Sequence, residues 1–151
     1  LEVTMAASGR IPVVGDTTTL ALKLTNPSAD TIAMPTVIVP IPAGFSVDQE
    51  RLEKLVKRRT LSKYQDQGSE VHLYLDSLAK NSTVSLPIVL RAEAACDVAL
   101  HPAVAYAYYD PEVRGSSGAL RLEAKRRSKQ PRLRAAASPF KARPLPKPQL
   151  F

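Results

Sequence analysis

The chain has 151 residues, thirteen prolines, one cysteine and a formal net charge of +7, and its length suits a single domain of the usual ~100 to 200 residues. One cysteine excludes an internal disulfide, a cysteine-based metal cluster and a Cys-x-x-Cys redox motif. Charged or prolyl residues interrupt every apolar run, so no stretch reaches the ~20 residues that span a bilayer.

Most of the chain shows the period of two that is typical of half-buried β-strands. Apolar residues alternate with others in the runs 19–24, 36–39, 70–76 and 84–90. Pro87 lies inside the last run, and Pro35 and Pro40 flank the second. Because proline lacks the N–H that a ladder needs, both runs are predicted as edge strands or bulges. About seven short strands predict an all-β fold, an antiparallel β-sandwich.

One segment interrupts this pattern with helical spacing. Ser46 is followed three residues later by Gln49, as in a capping box. Leu52 and Leu55 are spaced for one side of a helix, with acidic residues in the first turn and basic residues in the last. We predict one amphipathic α-helix over about Asp48–Arg59. Its narrow apolar stripe predicts a position on the surface of the sandwich.

The run His101–Glu112, HPAVAYAYYDPE, alternates small residues with tyrosines and ends at an Asp-Pro turn signal. It is predicted to be the closing strand of the sandwich. Tyr106 and Tyr108 share a face that is predicted to pack in the core, with alanines opposite. Tyr109 lies on the alanine side and is predicted to be partly exposed. The alternative is that this side forms a docking surface for a neighbouring domain.

Positive charge is concentrated on the C-terminal side of this run. Residues 119–151 hold ten Lys and Arg and one acid, whereas residues 1–118 hold eleven Lys and Arg and thirteen acids. The tail also carries five prolines, and its single hydrophobic residues follow no period. We predict a folded domain over 1–118 and a basic, proline-rich, disordered tail over 119–151. Non-specific binding of nucleic acid or an anionic surface by this tail is one functional hypothesis.

Residues that could carry chemistry are few and scattered. His72 and His101 show no metal-ligand spacing, and Asp110 with Glu112 supplies too few oxygens for Ca²⁺. The sequence has neither a G-x-S-x-G elbow nor a phosphate-binding glycine loop. Cys96 is predicted to be a buried or strand-edge thiol that acts as a small hydrophobe. We therefore predict no catalytic, cofactor-binding or metal site, and no enzymatic activity.

In their order, these features resemble the C-terminal receptor-binding domain of the α2-macroglobulin family. The resemblance spans roughly Met34–Glu112 and rests on a proline-flanked strand, Gly44-Phe45, the single helix, and the runs VHLYLDSL, LPIVLRAEA and AYAYYDPE. It implies an immunoglobulin-like sandwich with one helix, within a large extracellular or, in bacteria, periplasmic protease trap. The chain begins at Leu1 and would be a piece of that protein.

The resemblance also implies partners. These are neighbouring domains of the larger parent protein, target proteases reached through that parent, and a cell-surface or envelope protein; no specific nucleic acid and no cofactor is implied. In animal members the helix presents two lysines to a clearance receptor, but Gln49 and Glu53 stand at those positions here. Lys54, Lys57 and Arg58 form a basic face nearby, which is either a partner surface or an ordinary solvated helix face.

Reactive chemistry of this family depends on a thioester in a Gly-Cys-Gly-Glu-Gln setting. Cys96 lies between Ala95 and Asp97, so the chain lacks that motif. The first functional hypothesis is a non-catalytic interaction domain at the C-terminal end of a macroglobulin-like protease inhibitor, with Lys54, Lys57, Arg58 and Tyr109 as candidate partner-binding residues. The alternative is a generic extracellular β-sandwich adhesion module.

Overall fold

Alternating apolar side chains build the strands of the computed structural model, which describes residues 1–8 and 10–127. The strands are β1 (Glu2–Ser8), β2 (Thr17–Asn26), β3 (Ile32–Ala33), β4 (Pro35–Pro40), β5 (Phe45–Val47), β6 (Lys63–Asp66), β7 (Glu70–Tyr74), β8 (Ser77–Leu78), β9 (Ser82–Ala92), β10 (Cys96–Leu100), β11 (Val104–Ala107), β12 (Asp110–Ser116) and β13 (Leu120–Ala124). The helix within this described part is α1 (Gln49–Lys57).

A four-stranded antiparallel sheet forms one layer, in the order β1-β2-β9-β5. Leu20 and Leu22 of β2 stand opposite Ile88 and Leu86 of β9, and all four are buried. Paired residues of antiparallel strands share a face, so these side chains form one continuous apolar surface. Burial of each such side chain contributes roughly 1.5–3 kcal/mol.

A five-stranded antiparallel sheet forms the other layer, in the order β12-β11-β4-β7-β6. Val37 and Val39 of β4 and Leu73 of β7 are buried on its inner face. The inner faces of both sheets belong to a single hydrophobic core. The prediction of an immunoglobulin-like antiparallel β-sandwich with one surface helix is confirmed.

Two short antiparallel pairs, β3 with β8 and β10 with β13, complete the described fold. In β13, Leu122 and Ala124 are buried, while Arg121 faces outward and binds Asp97 of β10 at 2.6 and 3.0 Å. These hydrogen bonds from Arg121 hold the pKa of Asp97 below its usual value. The domain boundary predicted after residue 118 is therefore wrong, because residues counted as tail form a strand.

The error has a simple cause, since Leu120, Leu122 and Ala124 keep a period of two that the alternating charges Arg121 and Glu123 obscured. The rest of the predicted tail, 128–151, lies outside the described residues. Its disorder stays a prediction.

Helix α1 begins after Asp48, whose carboxylate accepts hydrogen bonds from the backbone N–H of Glu50 at 3.1 Å and of Arg51 at 3.4 Å. Asp48 is thus the N-cap. Ser46, the predicted cap, lies in β5 and donates instead to the Glu93 carboxylate at 2.6 Å. The helix ends at Lys57, two residues before the predicted end, and Arg59 has a positive φ of 61°.

Two strands predicted to be edge strands or bulges because of their prolines are internal in their sheets. β4 is central rather than an edge strand, because Pro35 and Pro40 occupy only its first and last positions. β9 is also internal, between β2 and β5. Pro87 is accommodated there because β5 pairs only with Leu90–Ala92 and leaves one side of Pro87 without a ladder partner.

Candidate interaction surfaces

Helix α1 presents a row of cations beside the four-stranded sheet. Leu52 and Leu55 are buried and fix the rotation of the helix. Arg51, Lys54 and Arg58 then line one side of a cavity of about 250 Å³, with the exposed ring of Pro87 among the residues opposite. Positions i, i+3 and i+7 lie on the same face of a helix, so these cations form one strip. We call these three cations the helix strip.

Sequence reasoning named two members of this strip and missed the third. Lys54 and Arg58 are exposed, as is Lys57, and within residues 1–8 and 10–127 none of them has a carboxylate at ion-pair distance. Lys57 does not line the cavity with the others, because its position turns it away around the helix axis. Arg51 does line it, and its i−3 spacing from Lys54 is the sequence signal that identifies it.

Strand β6 contacts helix α1 through a residue outside the helix strip. Tyr64 of β6 donates a hydrogen bond to Glu53 of α1 at 3.4 Å. Burial, followed by the Glu53 carboxylate, raises the pKa of Tyr64 above its usual value. Glu53, one of the two positions where the family resemblance leads one to expect lysine, therefore contacts the domain itself.

Tyr109, the fourth predicted partner-binding residue, lies far from the helix. It stands in the turn between β11 and β12 and is 73% exposed. Its cavity is bordered by Ser28, just beyond the end of β2, whereas the helix strip faces Thr19 near the start of that strand. Asn26 lies seven positions beyond Thr19 along the strand, a distance of roughly 23 Å. The structure therefore does not bring the four predicted residues into one site.

Tyr106 of β11 and Tyr108 of the turn after it face the opposite way from the prediction. Ala103, Ala105 and Ala107 are buried, whereas Tyr108 is 53% exposed and Tyr106 is half-buried on the outer face. β11 is also not the closing strand, because β12 returns beside it after a two-residue turn, with Ala107 opposite Asp110. Core packing by Tyr106 and Tyr108 is thus wrong, and both rings belong to the surface.

On the outer face of the five-stranded sheet, aromatic rings flank a buried hydroxyl. Thr36 stands between Tyr106 and Tyr74 in the strand register. Lys63 places its Nζ 4.7 Å from the centre of the Tyr74 ring, which is a cation–π contact. Thr36 is 0% exposed, and its Oγ1 has no hydrogen-bond partner among the described residues. Unpaired burial of this hydroxyl destabilises the fold.

Thr36→Val should therefore raise the free energy of unfolding by about 1 kcal/mol, because valine has the same shape and no polar group to desolvate. Urea denaturation measures the change. Thr25→Val is the matched control, since Thr25 Oγ1 is hydrogen-bonded to Thr83 Oγ1 at 3.0 Å and gains nothing from the exchange. A loss of stability in Thr36→Val would show that the hydroxyl has a partner.

The polar residues most suited to chemistry are dispersed over the fold. His72 pairs with Glu70 on its own strand at 2.8 Å, and His101 is exposed between β10 and β11. Cys96 is half-buried, with its thiol free. In the described ranges, His, Cys, Asp and Glu side chains form no group of three or more that could hold a metal ion. None of the helices described here has the length and apolar character needed to cross a membrane.

Comparisons with known proteins agree with this fold. A family model described as the A-macroglobulin receptor binding domain matches residues 30–117. No curated protein sequence matches the chain.

Three solved structures share the fold. Salmonella alpha-2-macroglobulin reacted with methylamine gives a TM-score of 0.67 at 13% identity, covering 82% of this chain and 9% of that one. Trypsin-activated alpha-2-macroglobulin from Escherichia coli gives 0.67 at 12%, covering 82% and 10%. Native Escherichia coli alpha-2-macroglobulin from domain MG7 to the C-terminus gives 0.65 at 12%, covering 82% and 23%. The chain thus spans less than a quarter of each of these proteins.

Proposed function

Because the chain belongs to the A-macroglobulin receptor binding domain family, we propose that it is a non-catalytic interaction domain of a larger alpha-2-macroglobulin-like protease inhibitor. The observation that carries the proposal is the family match over residues 30–117, which runs from the loop before β3 to the end of β12. The likeness to bacterial alpha-2-macroglobulins, one of them trypsin-activated, supports the same reading. In this proposal the domain packs and binds, while other domains meet the protease.

The parent protein would act outside the cytoplasm, either extracellularly or in the periplasm, where it meets target proteases. Its neighbouring domains would be the first partners of this domain, and a cell-surface or envelope protein a further one. Recovery of the full-length gene tests this directly. Macroglobulin repeats upstream would support the proposal, whereas adhesin repeats or a hydrolase in their place would overturn it.

Protease trapping by the recovered parent is the functional test. Purified parent protein is incubated with trypsin, and the activity remaining toward a large protein substrate is compared with activity toward a small peptide substrate. A trap should block the first and spare the second, because a caged protease still admits small molecules. If the parent protein leaves trypsin activity toward the large protein substrate unchanged, that result would contradict the inhibitor function.

The helix strip is proposed as the surface that binds an acidic partner protein. Its three cations lie side by side without described ion-pair partners, so they remain available to carboxylates on another surface. Lys57 extends the same charge around the helix, and the exposed Tyr109 marks a separate contact region.

Charge reversal tests the helix strip. Arg51→Glu/Lys54→Glu/Arg58→Glu should weaken binding of a glutamate-rich peptide by about tenfold, since exposed ion pairs contribute up to about 1 kcal/mol each and the three add only in part. Isothermal titration calorimetry at low ionic strength measures the affinity, and added salt should reduce it. Lys23→Glu/Lys80→Glu/Arg91→Glu is the control with the same change in net charge on exposed positions elsewhere. An equal loss in both variants would mean that only net charge matters.

A further inference from the structure

A second surface lies at the opposite end of the sandwich from the helix strip. The turn between β11 and β12 and the loop before β3 enclose a cavity of about 430 Å³. Its floor is apolar and includes Ile32 and Ala107, which are buried, and the half-buried Val113. Asp30 stands on one rim and Tyr109, next to Asp110, on the other. We call this cavity the tyrosine groove.

Hydrogen bonds hold the rim that carries Asp30. The buried Asn26 donates to the carbonyl oxygens of Asp30 at 2.7 Å, Leu78 at 3.1 Å and Ala79 at 3.2 Å. Ser28 donates to the Asn26 side chain through both its backbone N–H and its hydroxyl. This network ties the loop to β8 and the residue after it.

The rim that carries Tyr109 is held as well. The backbone N–H of Tyr108 donates to the Met34 carbonyl at 3.2 Å, which joins the turn to the connection between β3 and β4. The rings of Tyr108 and Tyr109 meet edge to face at 5.2 Å. Because both rims are fixed before anything binds, little conformational entropy is lost when a ligand enters.

The residues of the tyrosine groove favour a ligand that combines positively charged groups with apolar side chains. Asp30 and Asp110 are exposed, and neither has a cation at ion-pair distance within the part of the chain that the structure describes. The exposed ring of Tyr109 offers a face for a cation or for a proline ring. Aromatic grooves of this kind bind extended polyproline II segments, which lose little entropy on binding.

The chain itself contains such a segment beyond the described residues. Residues 143–148 read Arg-Pro-Leu-Pro-Lys-Pro, with prolines at alternate positions and a cation at each of two positions four residues apart. Apolar and basic residues in this order complement an apolar floor bordered by carboxylates.

The chain between the last described residue and this proline-rich segment is long enough for the segment to reach the tyrosine groove. The described residues end beside Val14, whose N–H donates to Lys125 O at 3.0 Å, near the start of β2. The tyrosine groove lies past the other end of that strand, and its ten residues cover roughly 33 Å at about 3.3 Å each. Arg143 lies sixteen positions beyond Arg127, and sixteen residue steps span roughly 50 Å in an extended polyproline II conformation.

We propose that the tyrosine groove binds the chain's own proline-rich segment 143–148, with Tyr109 against the prolines and Asp30 and Asp110 facing Arg143 and Lys147. This goes beyond the proposed interaction function and does not depend on the parent protein. It assigns the basic tail a position on its own domain, where it covers the exposed tyrosine.

The test uses the full 151-residue chain, labelled with ¹⁵N. Arg143→Glu/Lys147→Glu should move the backbone amide signals of Thr31, Tyr109 and Val113, because it releases the segment. Lys129→Glu/Arg132→Glu makes the same charge change earlier in the tail and should leave those signals in place. Unchanged groove signals in the first variant, or equal changes in both, would overturn the proposal.

A second measurement follows the amide signals of the proline-rich segment itself. In the unaltered chain, the amide signals of Leu145 and Lys147 should differ from those of a synthetic peptide of residues 139–151. Asp30→Asn/Tyr109→Ala, at two exposed positions, should shift them to the values of the free peptide while the amide of the buried Leu22 stays unchanged. Identity with the free peptide in the unaltered chain would refute binding, and signals that revert on tenfold dilution would refute binding within one molecule.

Discussion

Gly44→Ala should lower the free energy of unfolding by about 3 kcal/mol, through two effects of roughly 1–2 kcal/mol each. The first effect is conformational, because Gly44 has a φ of +91°, which residues with a Cβ rarely adopt. The second is steric, since the new Cβ would lie 2.8 Å from Sγ of Cys96. The backbone is held in place, because the Gly44 carbonyl accepts from Glu93 N at 2.8 Å and Ala94 N at 3.3 Å.

Denaturant unfolding of four variants separates these effects: Gly44→Ala, Gly68→Ala, Cys96→Ala and the double variant Gly44→Ala/Cys96→Ala. Gly68 also has a positive φ, of +84°, but an added Cβ there meets nothing within 4 Å. Gly68→Ala should therefore show the conformational cost alone. Adding Cys96→Ala to Gly44→Ala should recover the steric part, and the two single variants with the double variant form a thermodynamic cycle. Equal losses in Gly44→Ala and Gly68→Ala would contradict the clash with Cys96.

Asn26→Ala should lower the free energy of unfolding by about 2–3 kcal/mol, because it removes the amide donor from the buried carbonyl oxygen of Leu78. The carbonyl oxygens of Asp30 and Ala79 keep hydroxyl donors from Ser28 and Ser82. Asn26 is 0% exposed and its amide serves Asp30, Leu78 and Ala79. The buried bond to Leu78 O carries most of the expected loss, since water cannot replace it there.

Thermal and urea denaturation measure this loss. Ser28→Ala is the control, because it removes one exposed hydroxyl that contacts the same asparagine. It should cost less than about 1 kcal/mol. If Asn26→Ala is no more destabilising than Ser28→Ala, the amide does not hold the loop, and the rim of the tyrosine groove is not fixed in the way described.

Alternation in the sequence predicted the sheets well, since leucines of β2 and β9 and valines of β4 face the core as expected. It could not predict which face of β11 is buried, because a period of two groups residues without orienting them. Side-chain size alone favours the tyrosines over the alanines as core residues. In the structure Ala105 stands beside the buried Val37 and the leucines of the other sheet fill the interior, which leaves room only for small side chains on β11.

The sequence predicted a candidate site only where the residues of that site are close together in the chain. The helix strip follows from helical spacing, and Arg51 was within reach of the same rule. The tyrosine groove was not, because Asp30 and Asp110 are eighty residues apart in the sequence. They meet only through the turn after β11 and the asparagine network before β3. The boundary at residue 118 failed for the opposite reason, as alternating charges concealed the local pattern of β13.

Strand β11 keeps the requirements of folding and of recognition on opposite sides of one backbone. Its alanines are confined by the interior volume, so substitutions there change stability. Tyr106 of this strand lies on the outer face, and Tyr108 and Tyr109 stand in the turn that follows it, so substitutions there change what the surface can bind. A designer could therefore exchange Tyr106, Tyr108 and Tyr109 to redirect the domain to a different ligand and leave its interior intact.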